Sequence, residues 1–318
     1  MRFRDRHIRF ASGIIGENIE IDSASPANFY QVINAPAEMP RTTVDGKLFL
    51  PVAFKAPLPL VMVCPGSLGV ADSHLAHAEA LSDAGFASFV LDSFGARNVT
   101  STVANQTQFS FAASAYDVLA AFETLVERPE IDAHRIGAQG HSRGGSAVLT
   151  AATRRFADAV LGNGKGLKAV LPAYPWSGQQ FFDPSVGSTE VRVLMGDRDD
   201  WCSAAQVQAH VQAIRLSRGI VSMRLFSGAG HGFDRGPPFE DVPEASVTVA
   251  APTTYLADDG AMIHPLSEIP DPTLVDRDVM VYALKAGYGS KGAKVGGTEE
   301  DALGFREEML AFWRRVLG

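Results

Sequence analysis

The stretch Gly140-His141-Ser142-Arg143-Gly144 decides the fold of this chain. It is preceded by the apolar run Arg135-Ile136-Gly137-Ala138 and followed by Gly145-Ser146-Ala147-Val148-Leu149-Thr150-Ala151-Ala152. The first run reads as a strand and the second as a helix, so G-x-S-x-G stands in a strand–turn–helix context. A turn this tight leaves no room for side chains at its shoulders, hence Gly140 and Gly144. The residue between them is forced into a strained backbone conformation that lifts the Ser142 hydroxyl out at the end of the strand. The helix behind it points its free N–H groups and positive dipole at any charge that develops beside Ser142.

Outward from this elbow the chain alternates buried strands with amphipathic helices, the pattern of βαβ units and a parallel sheet. Leu60–Cys64, Phe86–Leu91, Leu167–Leu171, Val191–Met195 and Ile220–Phe226 read as strands. Ser73–Ala84, Ser110–Arg128, Ser203–Arg218 and Glu299–Leu317 read as helices, with Asp72 or Ser73 capping the first. Residues 1–58 read as a strand-rich antiparallel flank. Asn18–Asp22 alternates, Phe29–Asn34 is a second candidate, and Lys47–Phe54 is a third, demoted to an edge by Pro51 and preceded by a turn at Asp45-Gly46. Residues 234–298, rich in Pro, Gly and Asp, break the rhythm, with Val247–Ala250 and Thr253–Leu256 as a possible hairpin. They form either a partial lid near the site or a surface excursion on the sheet edge. The expectation is a single α/β domain spanning 1–318: a mostly parallel central sheet with helices on both faces.

Composition excludes several classes. The 318 residues carry a net charge of −8, with 46% hydrophobic and 20% charged residues. No basic cluster is interleaved with aromatics, so neither nucleic acid nor an anionic membrane is an expected partner. Met1–His7 is basic, but no apolar core follows it, and no apolar run is long enough to span a bilayer. Two cysteines, Cys64 and Cys202, are too few for a disulfide scaffold, which favours a reduced, cytoplasmic protein. No metal-site motif appears. The readings for partners are a small-molecule substrate and a monomer or homodimer.

In open α/β sheets functional groups collect at the carboxyl ends of strands. Ser142 follows one such strand. Gly196-Asp197-Arg198-Asp199-Asp200 follows the Val191 strand, and Gly228-Ala229-Gly230-His231-Gly232-Phe233 follows the Ile220 strand. A serine hydroxyl is a poor nucleophile without a base. Histidine titrates near neutrality and can take and return the proton. A buried carboxylate fixes its tautomer and stabilises the imidazolium. Asp199 is the chosen acid, with Asp200 second and Asp197 close by. His231 is singled out from the eight histidines by the glycines around it, whereas His74 and His77 read as structural or peripheral and His141 as packing. Negative charge on the carbonyl oxygen needs two N–H donors. The Arg143 N–H is one. Ser67 or Leu68, in the loop Pro65–Gly69, supplies the other.

The order Ser, Asp, His is that of α/β-hydrolases. Over roughly residues 45–235 and the last helix, the elbow, the acid turn and above all the histidine loop resemble the dienelactone hydrolase family. The resemblance implies an α/β-hydrolase fold and hydrolysis of carboxylic esters or lactones without a cofactor. The dienelactone hydrolases proper use cysteine where this chain has Ser142, and their oxyanion strand often ends in His-Gly, where this one ends in Cys64-Pro65-Gly66. Cys64 reads as a small buried residue. The family's substrate carboxylate is held by arginines at about the places of Arg97 and Arg235; surface ion pairing, with Asp234 or Glu240 for example, is the competing reading for each. A peptidase, amidase or thioesterase on the same three residues is a rival enzyme, and a non-catalytic hydrolase-like binding protein is the rival of another class.

Overall fold

The computed structural model describes residues 2–318. The chain enters through two antiparallel strands, β1 (Glu17–Ala24) and β2 (Arg41–Phe49). Ile19 and Ile21 point inward and Asn18, Glu20 and Asp22 outward, the period-two alternation of a half-buried strand. Between them lies a helix, α1 (Phe29–Asn34), where the sequence reading expects a strand. The β-prone run is overruled by its cap. The Asn28 side chain accepts from the Gln31 N–H at 2.9 Å, and Phe29 and Val32, three apart, bury one helical face. The turn expected at Asp45-Gly46 is likewise absent, since both residues lie inside β2. A Cβ on Gly46 would stand 2.3 Å from the Phe89 ring, so that glycine marks a close crossing of side chain over backbone. β2 also ends before Pro51 and is internal to the sheet, not an edge.

The βαβ units then follow: β3 (Leu58–Cys64), α2 (Asp72–Asp83), β4 (Ala87–Asp92), α3 (Phe111–Val126), β5 (Ile131–His141), α4 (Arg143–Ala152), α5 (Arg154–Leu161), β6 (Ala169–Ala173), β7 (Gln179–Phe181), β8 (Glu190–Gly196), α6 (Ala204–Leu216) and β9 (Val221–Phe226). The eight-stranded central sheet has the order β1-β2-β4-β3-β5-β6-β8-β9, parallel from β4 onward. Ala71 caps α2 in place of the expected Asp72 or Ser73, and Ser110 caps α3 by accepting from the Ala113 N–H.

The sheet is covered on both faces. Alternate residues of β5 show it: a Cβ on Gly137 would strike Trp313 of the last helix, α8 (Glu299–Leu317), whereas a Cβ on Gly140 would strike the backbone of α4. The Trp313 indole N–H donates to Gln139 Oε1 at 2.9 Å on the α8 side.

Residues 234–298 hold β10 (Glu240–Val247), β11 (Thr254–Leu256), β12 (Met262–Ile263), α7 (Asp276–Lys285) and β13 (Ser290–Val295). The expected Val247–Leu256 hairpin does not form. β10 pairs with β13, and β11 adds to β7 and β12 in a separate three-stranded sheet. The β10–β13 ribbon lies against the strand ends, because the Gly296 N–H donates to His231 O at 2.9 Å and the Ser246 N–H to Val103 O at 3.0 Å.

Candidate active site

Ser142 occupies the elbow with φ 55° and ψ −116°, a region a serine adopts only under constraint. The constraint is visible: a Cβ on Gly140 would stand 2.0 Å from Gly144 O, and one on Gly144 would stand 2.1 Å from Cys64 O. The Ser142 N–H is tied to Ala173 O on the neighbouring strand at 3.0 Å.

The Ser142 hydroxyl lies 2.9 Å from His231 Nε2, and His231 Nδ1 lies 2.8 Å from Asp199 Oδ2. A carboxylate only accepts, so Nδ1 carries the ring proton and Nε2 accepts from the serine. Gly196 makes this approach possible, since a Cβ there would meet Ala229 O at 2.3 Å. The neighbouring aspartates separate by their partners. Asp197 accepts from the Gly228 N–H and Asp200 from the Lys294 N–H. Asp199 reaches His231 while its other oxygen accepts from the Trp201 and Cys202 N–H groups, each at 2.8 Å. Burial pushes both thiols up, so Cys64 and Cys202 stay protonated.

Gly66 brings the β3 loop against the elbow: a Cβ there would lie 3.0 Å from His141 O. Ser67 is buried and Leu68 exposed, and among the described residues the N–H of neither takes part in the backbone hydrogen bonds of turns and loops; nor does that of Arg143, the first residue of α4. The Arg143 side chain, which sequence reasoning missed, is a brace. It lies between the Phe109 and Phe111 rings at 4.3 and 4.2 Å and donates to Gln106 O, Phe109 O, Ser110 O and Ser114 Oγ. Burial lowers its pKa to about 10, still charged at neutrality. A buried arginine at a helix start needs such acceptors, and that need was the available signal.

Arg97 corrects an expectation. Its guanidinium is buried and paired with both oxygens of Asp117, and it also donates to Ser25 Oγ, Ala24 O and Ser93 O. All of its donor nitrogens are engaged within the fold, tying the loop after β4 to α3 and β1, which leaves no fork for a substrate. Arg235 does border the site, in a chamber it shares with Ser142, His231 and Ser67, and its Nε is buried without a partner among the described residues.

Behind the elbow lies a buried polar network that no local pattern announces. Asp234 accepts from His77 Nε2 at 2.7 Å and from the Tyr174 hydroxyl at 2.5 Å. His141 Nδ1 donates to the same Tyr174 oxygen at 3.0 Å, and the Tyr174 ring packs edge-on against His231 with centroids 4.8 Å apart. His74 and His77 are therefore interior, not peripheral. His77, His141 and Asp234 offer ligand atoms within 4.8 Å of one another, as do Asp199, Cys202 and His231. The His77 and His141 rings are stacked, 11° from parallel with centroids 5.0 Å apart.

This interior makes stability depend on pH. Burial holds His74 and His141 below the usual histidine range and pushes His210 down to about 4. Below about pH 6.5 the unfolded chain takes up protons that the folded one refuses, so stability falls as pH drops from there toward 4. Burial alone would raise the Asp234 carboxyl, but hydrogen bonds from His141 and His77 hold it well below the carboxylate range. Its stabilisation is present above about pH 4 and is lost as pH falls further. The urea midpoint is expected to be clearly lower at pH 5 than at pH 7; equal midpoints would mean that these histidines are not neutral in the fold.

A mostly parallel sheet that presents a strained serine, a histidine and an aspartate at its strand ends defines an α/β-hydrolase. Within that class the chain belongs to the dienelactone hydrolase family, which matches residues 44–256. A solved dienelactone hydrolase-like promiscuous phosphotriesterase from metagenomic libraries is similar over 95% of this chain and 99% of its own, at 15% identity and a TM-score of 0.53. MGS-M1, an α/β-hydrolase from a Medee basin deep-sea metagenome library, is similar over 70% of this chain and 86% of its own, at 19% identity and a TM-score of 0.51. At these identities the likeness is one of fold. No curated protein matches the sequence. Among the described residues no helix is long and apolar enough to cross a membrane.

Proposed function

We propose that the protein is a serine hydrolase of carboxylic esters or lactones, acting through an acyl-enzyme on Ser142. The observation that carries this reading is the unbroken relay from Ser142 Oγ through His231 to Asp199, at 2.9 and 2.8 Å. Ser142 Oγ attacks the carbonyl carbon as its proton passes to His231 Nε2, and Asp199 holds the imidazolium. The N–H groups of Arg143 and Ser67 receive the oxyanion; Ser67 is preferred to Leu68 because it lines the space on both sides of Ser142. Each such donor lowers the barrier by about 3 kcal/mol. The carbon–oxygen bond of the tetrahedral intermediate then breaks, and His231 returns its proton to the departing alkoxide. Water, deprotonated by His231, attacks the acyl-enzyme and releases the acid and the serine. Arg235 is the one member of the expected arginine pair that faces the site, so a two-arginine clamp on a carboxylate is no part of the reading. The substrate is a small molecule met in solution.

The test is labelling with a fluorophosphonate probe. Wild-type protein is expected to label stoichiometrically and Ser142→Ala not at all. Equal labelling of the two, or of neither, removes the acyl-enzyme and leaves the non-catalytic binding protein as the better account.

A further inference from the structure

Two chambers flank Ser142. One holds His231 and Arg235. The other lacks His231 and runs from Ser142, Ser67 and Arg143 past Phe111, Trp176, Trp201 and Met280. His231 must reach the departing oxygen, so the chamber it lines receives the leaving group and the other receives the acyl group.

The acyl side does not end at its aromatic wall. Phe111 and Trp176 stack with centroids 4.6 Å apart, and together with Thr248 and Met280 they also line a further cavity beyond. Gln179, Thr254 and Asp276 are among the residues that line that cavity. Thr254 is 1% exposed and its hydroxyl has no hydrogen-bond partner among the described residues. An orphaned buried hydroxyl costs on the order of 1–3 kcal/mol and needs a reason. Its position is not accidental slack, because the Thr254 N–H donates to Gly178 O at 2.8 Å and β11 is registered against Gln179 in β7. Asp276 lines the same cavity. One carboxylate oxygen accepts from the Phe111 N–H at 2.8 Å, while the other has only a 3.4 Å contact from Gln179 Nε2. That second oxygen has capacity left for a donor.

A hydroxyl group both accepts and donates, and it is the simplest partner for an unpaired threonine hydroxyl that shares a cavity with an under-used carboxylate. Resting on the ester-hydrolase reading, we propose that the acyl slot takes an uncharged arylalkanoyl group whose ring carries a hydroxyl at its far end. The ring lies along Phe111 and Trp176 under Met280. Thr254 donates to the hydroxyl oxygen, and the hydroxyl proton is donated to Asp276. As it stands the slot is narrow, with cavities of about 30 Å³ on each side of the shared residues, so a ring enters only when Met280 moves aside. Met280 belongs to α7, whose only fully buried residue is Ala283, so the roof lifts without opening the core.

The experiment compares methyl 3-(4-hydroxyphenyl)propanoate, methyl 3-phenylpropanoate and methyl 3-(4-methylphenyl)propanoate, with homologues one methylene shorter. The hydroxylated ester is expected to exceed the other two about tenfold in kcat/KM, within the range a buried hydrogen-bonding pocket gives. In Thr254→Val, which keeps the shape and removes the hydroxyl, that ratio is expected to fall to about one. Asp276→Asn, which keeps an acceptor without its charge, is expected to narrow it. Binding of the corresponding non-hydrolysable propanamides, measured by calorimetry, should show the same order and the same loss. Turnover of p-nitrophenyl acetate, which is too short to reach Thr254, separates the two claims. If that ester is hydrolysed in a Ser142-dependent way but no preference for the hydroxylated ring appears in rate or binding, the acyl-slot inference is wrong and the hydrolase stands. If the amides bind with the expected preference and no ester turns over, the slot stands and the hydrolase reading is wrong. A preference that survives both substitutions overturns the assignment of Thr254 and Asp276.

Discussion

His231→Ala is expected to lower kcat for p-nitrophenyl acetate by about 10⁴-fold or more, Ser142→Ala by a similar factor, and the double variant by no more than either alone. The reasoning follows from the relay. Among the described residues, His231 is the base hydrogen-bonded to the Ser142 hydroxyl, and its tautomer is set by Asp199. Without the imidazole the serine proton has no acceptor, and without the serine the imidazole has nothing to activate. The two losses are one loss, so they do not multiply. What remains in each variant is the proposed pair of N–H donors and the proposed acyl slot, which do not need the relay. Measured kcat for the three variants decides the matter. Losses that multiply in the double variant would show that His231 and Ser142 act in separate steps, and an unaltered kcat in His231→Ala would place the base elsewhere. Circular dichroism spectra matching the wild type would show that the variants remain folded.

The parts of this site that are legible in the sequence are those imposed by backbone geometry. Gly140 and Gly144 are required by contacts of the elbow with its own helix and with β3, and Gly196 by the crossing of the acid turn and the histidine loop. Such needs restrict residue type at fixed spacing, and a sequence records them. The choice among Asp197, Asp199 and Asp200 is less legible, because it depends on Gly228 and on Lys294, 94 residues beyond Asp200 in the insertion, each engaging a different carboxylate. The place of Arg97 is illegible for the same kind of reason. Its partner Asp117 lies on α3, and neither residue belongs to a pattern that shows the two meeting. The network of His77, His141, Tyr174 and Asp234 draws on α2, β5, the end of β6 and the turn after His231, so nothing local reveals it. Helix α1 failed in the opposite direction: its Phe, Tyr, Val and Ile favour a strand in isolation, and one asparagine cap with a buried face outweighs them.

Gly144→Ala is expected to cost about 3 kcal/mol or more of stability, or to leave no soluble protein, whereas Gly304→Ala is expected to be neutral or to stabilise by up to about 1 kcal/mol. Both glycines lie inside helices, α4 and α8, where replacing glycine by alanine gains about 1 kcal/mol from helix propensity alone. They differ in what the new methyl meets. At Gly304 the nearest atom is the edge of the Phe226 ring at 3.2 Å, which can tilt away. At Gly144 it is Cys64 O at 2.1 Å, with Pro65 O at 2.5 Å, both in the backbone where β3 ends beside the site. Backbone carbonyls cannot yield as the end of a flexible side chain can, so α4 must withdraw by about 1 Å to restore van der Waals distance. That movement carries Ser142 and the Arg143 N–H with it, and a misplacement of this size costs about 10²-fold in rate even in molecules that remain folded. Urea midpoints for the two variants, and kcat for whatever folds, measure both effects. Equal stability of Gly144→Ala and wild type would mean that the close approach of α4 to β3 is not what holds the elbow in its strained form, and the origin of the Ser142 conformation would then have to be sought in its hydrogen bond to Ala173 O.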